Sequence, residues 1–343
     1  MHLRDHQLHG GPVLQLARPE GEGPVNPDGR PSRRGRASRQ RLLRRFRVFR
    51  LVRSSKGPEP GGPGEDEAVR RRLGVGFWLA VIWLVVMAFI ALFAPMLPFA
   101  DPTKVGYSGP REPPAAGAWF GTDALGRDVF SRTMYGARIS LAVGGFAIVF
   151  GMVVGGALGI LAGYFRGRLD QAVGFAFFVL LSFPALVLAI LITATLERSL
   201  LVVSLTIGIL AVAPVGLLAR ASTLVYAERE FVAAARVLGA RNGRIIVREL
   251  LPNVVIPMGA LTLLGMAVAV VAEGSLAFLG LSVAGDEAIS WGKMIVDGAG
   301  LRDLQNATHV AMFPVAVMFV TVLALNFAGD RIRQYFDVKE LAF

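Results

Sequence analysis

The sequence predicts an all-α, polytopic membrane protein with six transmembrane helices and an N-in/C-in topology. Hydrophobic residues make up 54% of the 343 residues, whereas charged residues make up only 18%. The apolar residues are concentrated in six blocks, each long enough to cross about 30 Å of hydrocarbon as a helix. Lys and Arg are concentrated in alternate connecting segments, which is the pattern that sets orientation in a membrane.

The basic charge of the chain is concentrated near its N-terminus. Residues 1–72 contain 17 Lys and Arg but 8 Asp and Glu, so they carry +9 of the net charge of +11. They are rich in Gly, Pro and Arg, and we expect a disordered basic cytoplasmic tail. Within it, residues 39–53 either lie on an anionic membrane surface or are an unstructured part of the tail. No nucleic-acid-binding fold accompanies the tail, so nucleic acid is not an expected partner.

The apolar blocks divide the remaining chain. They cover residues 75–97, 139–163, 172–195, 200–219, 254–281 and 310–328. Residues 73–137 are therefore predicted to hold the first transmembrane helix and an external loop. Residues 138–330 are predicted to form a core of five helices with a cytoplasmic loop at 220–253, and residues 331–343 a cytoplasmic C-terminal tail.

The orientation follows from the connecting segments. With the N-terminus inside, the cytoplasmic segments contain 28 Lys and Arg and the external ones contain 8. Both termini are therefore predicted to be cytoplasmic. We expect membrane lipid around the six helices.

Small residues on the second block predict a close helix contact. Gly151, Gly155, Gly159 and Gly163 recur every four residues, so they lie on one helix face. Prolines within or near the later blocks are expected to kink their helices; they are Pro184, Pro214, Pro257 and Pro314.

The cytoplasmic loop contains a pattern suited to docking a partner. Ala233, Ala234 and Ala235 favour a short helix with a small-residue face. Gly239 is expected to end this helix in a left-handed turn, and Pro252 marks the entry to the next block.

This loop resembles the coupling loop of ABC-type importer permeases, whose pattern is Glu-Ala-Ala, three residues, Gly, nine residues, then Ile-x-Leu-Pro. Two positions depart from the pattern, because Ala233 stands in place of Glu and Glu249 in place of Ile. The resemblance implies an ATPase-coupling loop that contains Phe231, Ala233, Ala234, Ala235, Gly239, Leu251 and Pro252.

A second resemblance narrows the family. Residues 121–132, reading GTDALGRDVFSR, and residues 135–141 are similar to the segment before the second span of dipeptide, oligopeptide and nickel permeases, in their C-type subunit. Residues 277–281, 290–292 and 326–330 also resemble that subunit. Together the resemblance covers residues 73–338.

The resemblance implies a type I ABC importer permease fold in the bacterial inner membrane. It implies a permease subunit that forms half of the translocation pathway for peptides or similar small solutes. The implied partners are a second homologous permease, two cytoplasmic ABC ATPase subunits and an external solute-binding protein. ATP and Mg²⁺ would be used by the ATPases, and no cofactor is expected on this chain.

Two groups outside the cytoplasmic loop are candidate functional residues. In the external loop, Thr122 or Asp123 is predicted to cap a helix that leads into the second span. Its polar residues either fix the loop or touch the substrate or the binding protein; the motif contains Gly121, Thr122, Asp123, Gly126, Arg127 and Asp128.

In the fifth span, Glu273 either lines the pathway or pairs with a neighbouring helix. Trp291 is interpreted as an aromatic residue at the membrane interface.

Several chemistries lack their motifs. The sequence has no Gly-x4-Gly-Lys-Ser/Thr loop for nucleotide and no His-Glu-x-x-His metal motif, and its four His residues have no ligand spacing. We therefore expect neither a metal site nor an enzyme. An ion-coupled secondary transporter and a membrane anchor subunit stay as alternatives. Peptide, nickel chelate, haem and sugar-like substrates all stay open.

Overall fold

The computed structural model describes residues 74–285 and 287–340, and the side chains of residues 336–340 lie outside that description. The predicted tail, residues 1–72, also lies outside the described residues. Within the described ranges the chain is helical apart from its connecting loops, with two isolated β-bridges and no strand.

Ten helices follow in order along the described chain. They are α1 (Val75–Phe93), α2 (Val129–Phe165), α3 (Gly167–Ser182), α4 (Ala185–Thr195), α5 (Leu200–Tyr226), α6 (Glu230–Val237), α7 (Asn242–Phe278), α8 (Trp291–Asp297), α9 (Leu301–Asn306) and α10 (His309–Glu340). A short 3-10 turn, Ala94–Met96, follows α1, and a π-helical turn, Ile245–Leu250, lies within α7.

Among the described residues, five helices are long and apolar enough to span a membrane: α1, α2, α5, α7 and α10. The predicted block at residues 172–195 is not one straight helix but the pair α3 and α4, which meet at a bend of 85°. Pro184 causes the break, because it lacks an N–H and forces Phe183 into an extended conformation (φ −84°, ψ 136°). The pair supplies the sixth span if it crosses the membrane as one unit.

The predicted glycine face of α2 packs against α5. A Cβ at Gly155 would overlap the carbonyl oxygen of Val212, and a Cβ at Gly159 would overlap that of Gly216. A Cβ at Gly163 would lie 2.9 Å from the Arg220 carbonyl oxygen. The predicted close approach is therefore confirmed, and the two backbones touch where larger residues cannot fit.

The other long helices complete the bundle around α2. α7 and α10 pack together, and α1 lies against α10 through Phe77, Ala80, Ala324 and Ala328. Large apolar side chains point outward from the bundle, including Leu79, Phe146, Val153, Phe175 and Phe178. Such a surface suits hydrocarbon as its solvent. α10 continues to Glu340, through most of the segment predicted as a C-terminal tail.

Candidate functional site

The loop between α5 and α7 has its own small core. Val232 of α6 has no exposed surface, and it packs with Ile245 and Leu250, which are equally buried, and with Tyr164 at the end of α2. Because α6 has only eight residues, this tertiary packing rather than its own propensity stabilises it. The core ties α6 to two of the long helices.

Polar contacts strengthen the same connection. The Tyr164 hydroxyl forms a hydrogen bond with Oδ1 of Asn242, at the start of α7, over 2.9 Å. The guanidinium of Arg236 lies 5.5 Å from the centroid of the Tyr164 ring, within range of a cation–π contact. These contacts connect α6 to the ends of α2 and α7.

Gly239 ends α6 in the left-handed turn that the sequence predicts. Its φ is +78°. Its N–H donates to the Arg236 carbonyl and the N–H of Ala240 donates to the Ala235 carbonyl, each over 3.0 Å. These two bonds form a Schellman motif. A Cβ at position 239 would meet no atom within 4 Å, so a substitution there strains the backbone without causing a clash.

The opposite face of α6 is open to solvent. Val237 and Leu238 are 88% and 86% exposed, and Phe231 is 37% exposed. Ala233 and Ala234 are also exposed. We call these five residues the α6 surface.

Three residues of the predicted coupling set lie outside the α6 surface, and two residues of the α6 surface were not in that set. Ala235 is half-buried against the loop core, while Leu251 and Pro252 are exposed further along α7. Val237 and Leu238 were absent from the predicted set, although their apolar side chains directly precede Gly239 in the same loop.

The outer loop differs from its prediction at the start of α2. Residues 121–128 are not helical, so Thr122 and Asp123 do not cap a helix. The cap is Asp128, whose Oδ2 accepts a hydrogen bond from the Ser131 N–H over 2.9 Å, and the helix begins at Val129. Asp128 satisfies the same cap preference as Asp123, whereas Thr122 and Asp123 are engaged by other residues of the loop.

Thr122 and Asp123 instead fix the loop itself. The Thr122 hydroxyl accepts from the Glu112 N–H over 2.9 Å and donates to the Gly109 carbonyl over 2.5 Å. The Asp123 carboxylate accepts from the N–H groups of Leu125 and Arg127, and Oδ2 accepts from Arg127 Nε over 2.6 Å. These contacts favour the interpretation in which the polar residues fix the loop.

Gly121 and Gly126 are required by the same loop. Their φ values are +73° and +71°, in the region that favours glycine. A Cβ at Gly121 would overlap the Glu112 carbonyl oxygen, and one at Gly126 would overlap that of Ser108.

Ion pairs join the outer loop to the segment between α7 and α10. Nε of the buried Arg132 lies 3.6 Å from Asp123 Oδ2, and its guanidinium lies 3.8 Å from Asp297 Oδ2 on α8. Arg111 pairs with Asp303 on α9. Partial burial raises the pKa of the Asp297 carboxyl, and the charge of Arg132 opposes that rise.

Glu273 of α7 has no exposed surface and is held by hydroxyls from other segments. The Ser282 hydroxyl donates to its Oε1 over 2.5 Å, and the Ser140 hydroxyl of α2 lies 3.4 Å from Oε2. Ser140 also accepts the N–H of Trp291 over 3.1 Å. Of the two interpretations of Glu273, this geometry favours pairing with neighbouring elements.

Trp291 is not an interfacial residue, so that interpretation was wrong. Its side chain is fully buried, and its indole N–H donates to the Thr133 carbonyl over 2.8 Å. Gly292 beside it lies against Gly274 of α7, where a Cβ would come within 2.6 Å of the Gly274 Cα. The start of α8 is therefore packed into the bundle.

The geometry defines a class: a multispanning helical membrane protein in which a short helix with exposed apolar residues packs onto a loop between two spans. Comparison with known proteins agrees. Residues 155–340 match the family described as "Binding-protein-dependent transport system inner membrane component". The chain belongs to this family.

Curated relatives cover most of the chain. The dipeptide transport system permease protein DppC of Alkalihalophilus pseudofirmus is 37% identical over 296 residues, which are 82% of this chain and 95% of the relative. The glutathione transport system permease protein GsiD of Pectobacterium atrosepticum is 34% identical over 79% of this chain and 88% of its own length.

One solved structure is also similar, a chain of the MetNI methionine ABC transporter in inward-facing conformations. The similarity covers 59% of this chain and 95% of the MetNI chain, with 19% sequence identity and a TM-score of 0.49. The family match and the two permease relatives show that the protein is a permease subunit of an ABC importer and lies in the inner membrane.

Proposed function

We propose that this chain forms half of the translocation pathway for peptides or similar small solutes, and that the α6 surface docks onto a cytoplasmic ATPase subunit. The observation that carries the second part is the exposure of Val237 and Leu238 on a helix whose other face is fully packed. Exposed apolar residues clustered on a rigid support are typical of a protein interface.

The proposed coupling follows the contacts of α6. When the ATPase subunits bind ATP and close, they displace α6, and the buried contacts of Val232 carry that displacement to Ile245 and Leu250 of α7. Tyr164 carries it to α2. ATP binding therefore shifts the equilibrium between two helix arrangements, because the ATP-bound ATPases bind one arrangement more tightly than the other.

The proposed assembly contains a second homologous permease, two ATPase subunits and an external solute-binding protein. The names of the two relatives, a dipeptide and a glutathione transport permease, support a peptide-like substrate. The basic residues concentrated on the predicted cytoplasmic segments support the placement of α6 on the ATPase side.

Gly239 provides the sharpest test of this proposal. Gly239→Val places a β-branched residue at φ +78° and costs about 1–2 kcal/mol of local strain. We expect the protein to stay in the membrane but to lose ATPase association or coupled uptake. Gly239→Asn is the matched control, because Asn tolerates the left-handed region and should retain most uptake.

A second variant tests the surface without straining the turn. Ala234→Arg adds bulk and charge to the exposed face, whereas Ala235→Arg would also disrupt the loop core. Ala234→Arg should weaken ATPase association with no loss of protein from the membrane. Normal ATPase association and uptake in both Gly239→Val and Ala234→Arg would refute the proposal.

A further inference from the structure

A pocket lined by aromatic residues opens at the outer end of α1 and α2. It has a volume of about 280 Å³, and its walls include Phe99, Tyr107, Trp119 and Phe130. The ring centroids of Trp119 and Phe130 are 5.0 Å apart. Trp119 is 66% exposed. We call this the outer aromatic pocket.

Asp128, which lines the outer aromatic pocket, has a buried carboxylate with no counter-ion among the described residues. Asp128 lines the pocket and is only 5% exposed. Its Oδ2 accepts from the N–H and the hydroxyl of Ser131, over 2.9 Å and 2.5 Å. Its Oδ1 is covered and has no hydrogen-bond partner among the described residues, and no described Lys, Arg or His lies within 4.0 Å of the carboxylate. The start of α2 stabilises part of this charge, but buried charges are normally paired.

The position of the pocket indicates what supplies the missing cation. α1 ends at Phe93 and α2 begins at Val129, so the pocket lies where two membrane-spanning helices leave the hydrocarbon. Leu92 and Met96, at the end of α1, are 71% and 82% exposed. Tyr and Trp are typical of this level of a membrane, where lipid headgroups are their neighbours.

We propose that the outer aromatic pocket binds the ammonium group of a membrane lipid headgroup, with phosphatidylethanolamine as the probe lipid. Aromatic faces attract an organic cation, and the buried Asp128 carboxylate beside the same pocket adds an opposite charge that acts through a low dielectric. The lipid would hold the outer loop at the membrane surface. This inference does not depend on the coupling role of α6.

Lipid selectivity of the purified full-length chain tests the inference. The chain is equilibrated with equal amounts of phosphatidylethanolamine and phosphatidylglycerol, and the retained lipids are counted by native mass spectrometry. The wild type should enrich phosphatidylethanolamine, and Asp128→Asn should lower that enrichment roughly three- to ten-fold. Asn still caps a helix, so this variant removes the charge without removing the cap. Trp119→Leu should lower the enrichment in the same direction.

Asp101→Asn is the matched control, because Asp101 is an exposed carboxylate of the same outer loop and lies outside the pocket. It should leave the lipid ratio unchanged. An unchanged ratio of phosphatidylethanolamine to phosphatidylglycerol in Asp128→Asn would overturn the inference. It would be overturned equally if that variant kept the lipid ratio and lost binding of the solute-binding protein.

A soluble probe identifies the source of the ammonium group. Ethanolamine phosphate should compete with the lipid only at concentrations at least about ten-fold higher, because it lacks the apolar chains that the membrane-facing surface contacts. If it binds as tightly as the lipid, the ammonium site is supported but a lipid as its source is wrong.

Discussion

Glu273 has no exposed surface although it lies in a membrane-spanning helix, and two serine hydroxyls surround its carboxyl group. Ser282 belongs to the segment after α7 and Ser140 to α2, so one side chain holds three parts of the chain together. The carboxyl oxygens of Glu273 accept these hydrogen bonds whether or not the group carries a charge, so they can stabilise the packing in either state. The arrangement therefore favours a positioning role for Glu273 over contact with the transported solute.

Substitution of Glu273 separates these two roles. Glu273→Gln keeps an acceptor oxygen and should retain near-normal uptake and thermal stability. Glu273→Ala leaves the hydroxyls of Ser140 and Ser282 without their acceptor, at a cost of about 1–3 kcal/mol for each buried group. It should therefore lower the thermal midpoint of the purified protein. Loss of uptake in Glu273→Gln at unchanged thermal stability would instead place the carboxyl group in the pathway.

Individual residues were predictable where local geometry decides their role. Gly239 follows a short Ala-rich helix, and a left-handed turn is the ordinary end of such a helix. Trp291 was misplaced because an aromatic residue between two spans looks the same in sequence whether it is interfacial or buried. Its packing depends on Ser140 and Thr133, which precede it by 151 and 158 residues.

At the scale of elements, the glycine pattern of α2 explains why the backbones of α2 and α5 touch. Four glycines present the α2 backbone to α5, where carbonyl oxygens of Val212 and Gly216 occupy the space that side chains would need. The sequence predicts the contact face but not its partner, since many helices of a bundle could meet a glycine face. Likewise, Pro184 predicts a kink, whereas the 85° bend depends on how α3 and α4 pack on α5.

Two alanine substitutions on α2 test this account of the helix contact. Gly159→Ala forces a methyl group against the Gly216 carbonyl and the Ala219 side chain, and overpacking of this kind costs about 1–3 kcal/mol. Gly145→Ala is the matched control, because a Cβ at Gly145 meets nothing within 4 Å. We expect a lower thermal midpoint for Gly159→Ala and an unchanged or slightly raised one for Gly145→Ala. Equal midpoints would show that the close approach does not stabilise the bundle.

At the scale of the whole molecule, composition alone predicts the helical membrane fold, and the five long helices confirm it. The orientation stays a prediction, because it rests on the distribution of basic residues rather than on the packing of the helices. It matters for function, since it places the α6 surface in the cytoplasm and the outer aromatic pocket on the opposite side.

Reporter fusions test that orientation. A reporter joined after Phe343 should behave as cytoplasmic, and one inserted within residues 98–117 should behave as external. The reason is the excess of Lys and Arg, 28 against 8, on the predicted inner segments. A cytoplasmic signal from the 98–117 insertion would reverse the assignment and remove α6 from the ATPase side.

The most direct test of the docking of α6 uses the absence of cysteine from this chain. Leu238→Cys then provides a single attachment point on the α6 surface for a short cross-linker, in membranes that contain the complete importer. We expect a cross-link to the ATPase subunit whose yield changes when ATP is added. Val105→Cys, at an exposed position in the outer loop, should give none. An intact complex in which Leu238→Cys fails to cross-link to the ATPase would contradict the account.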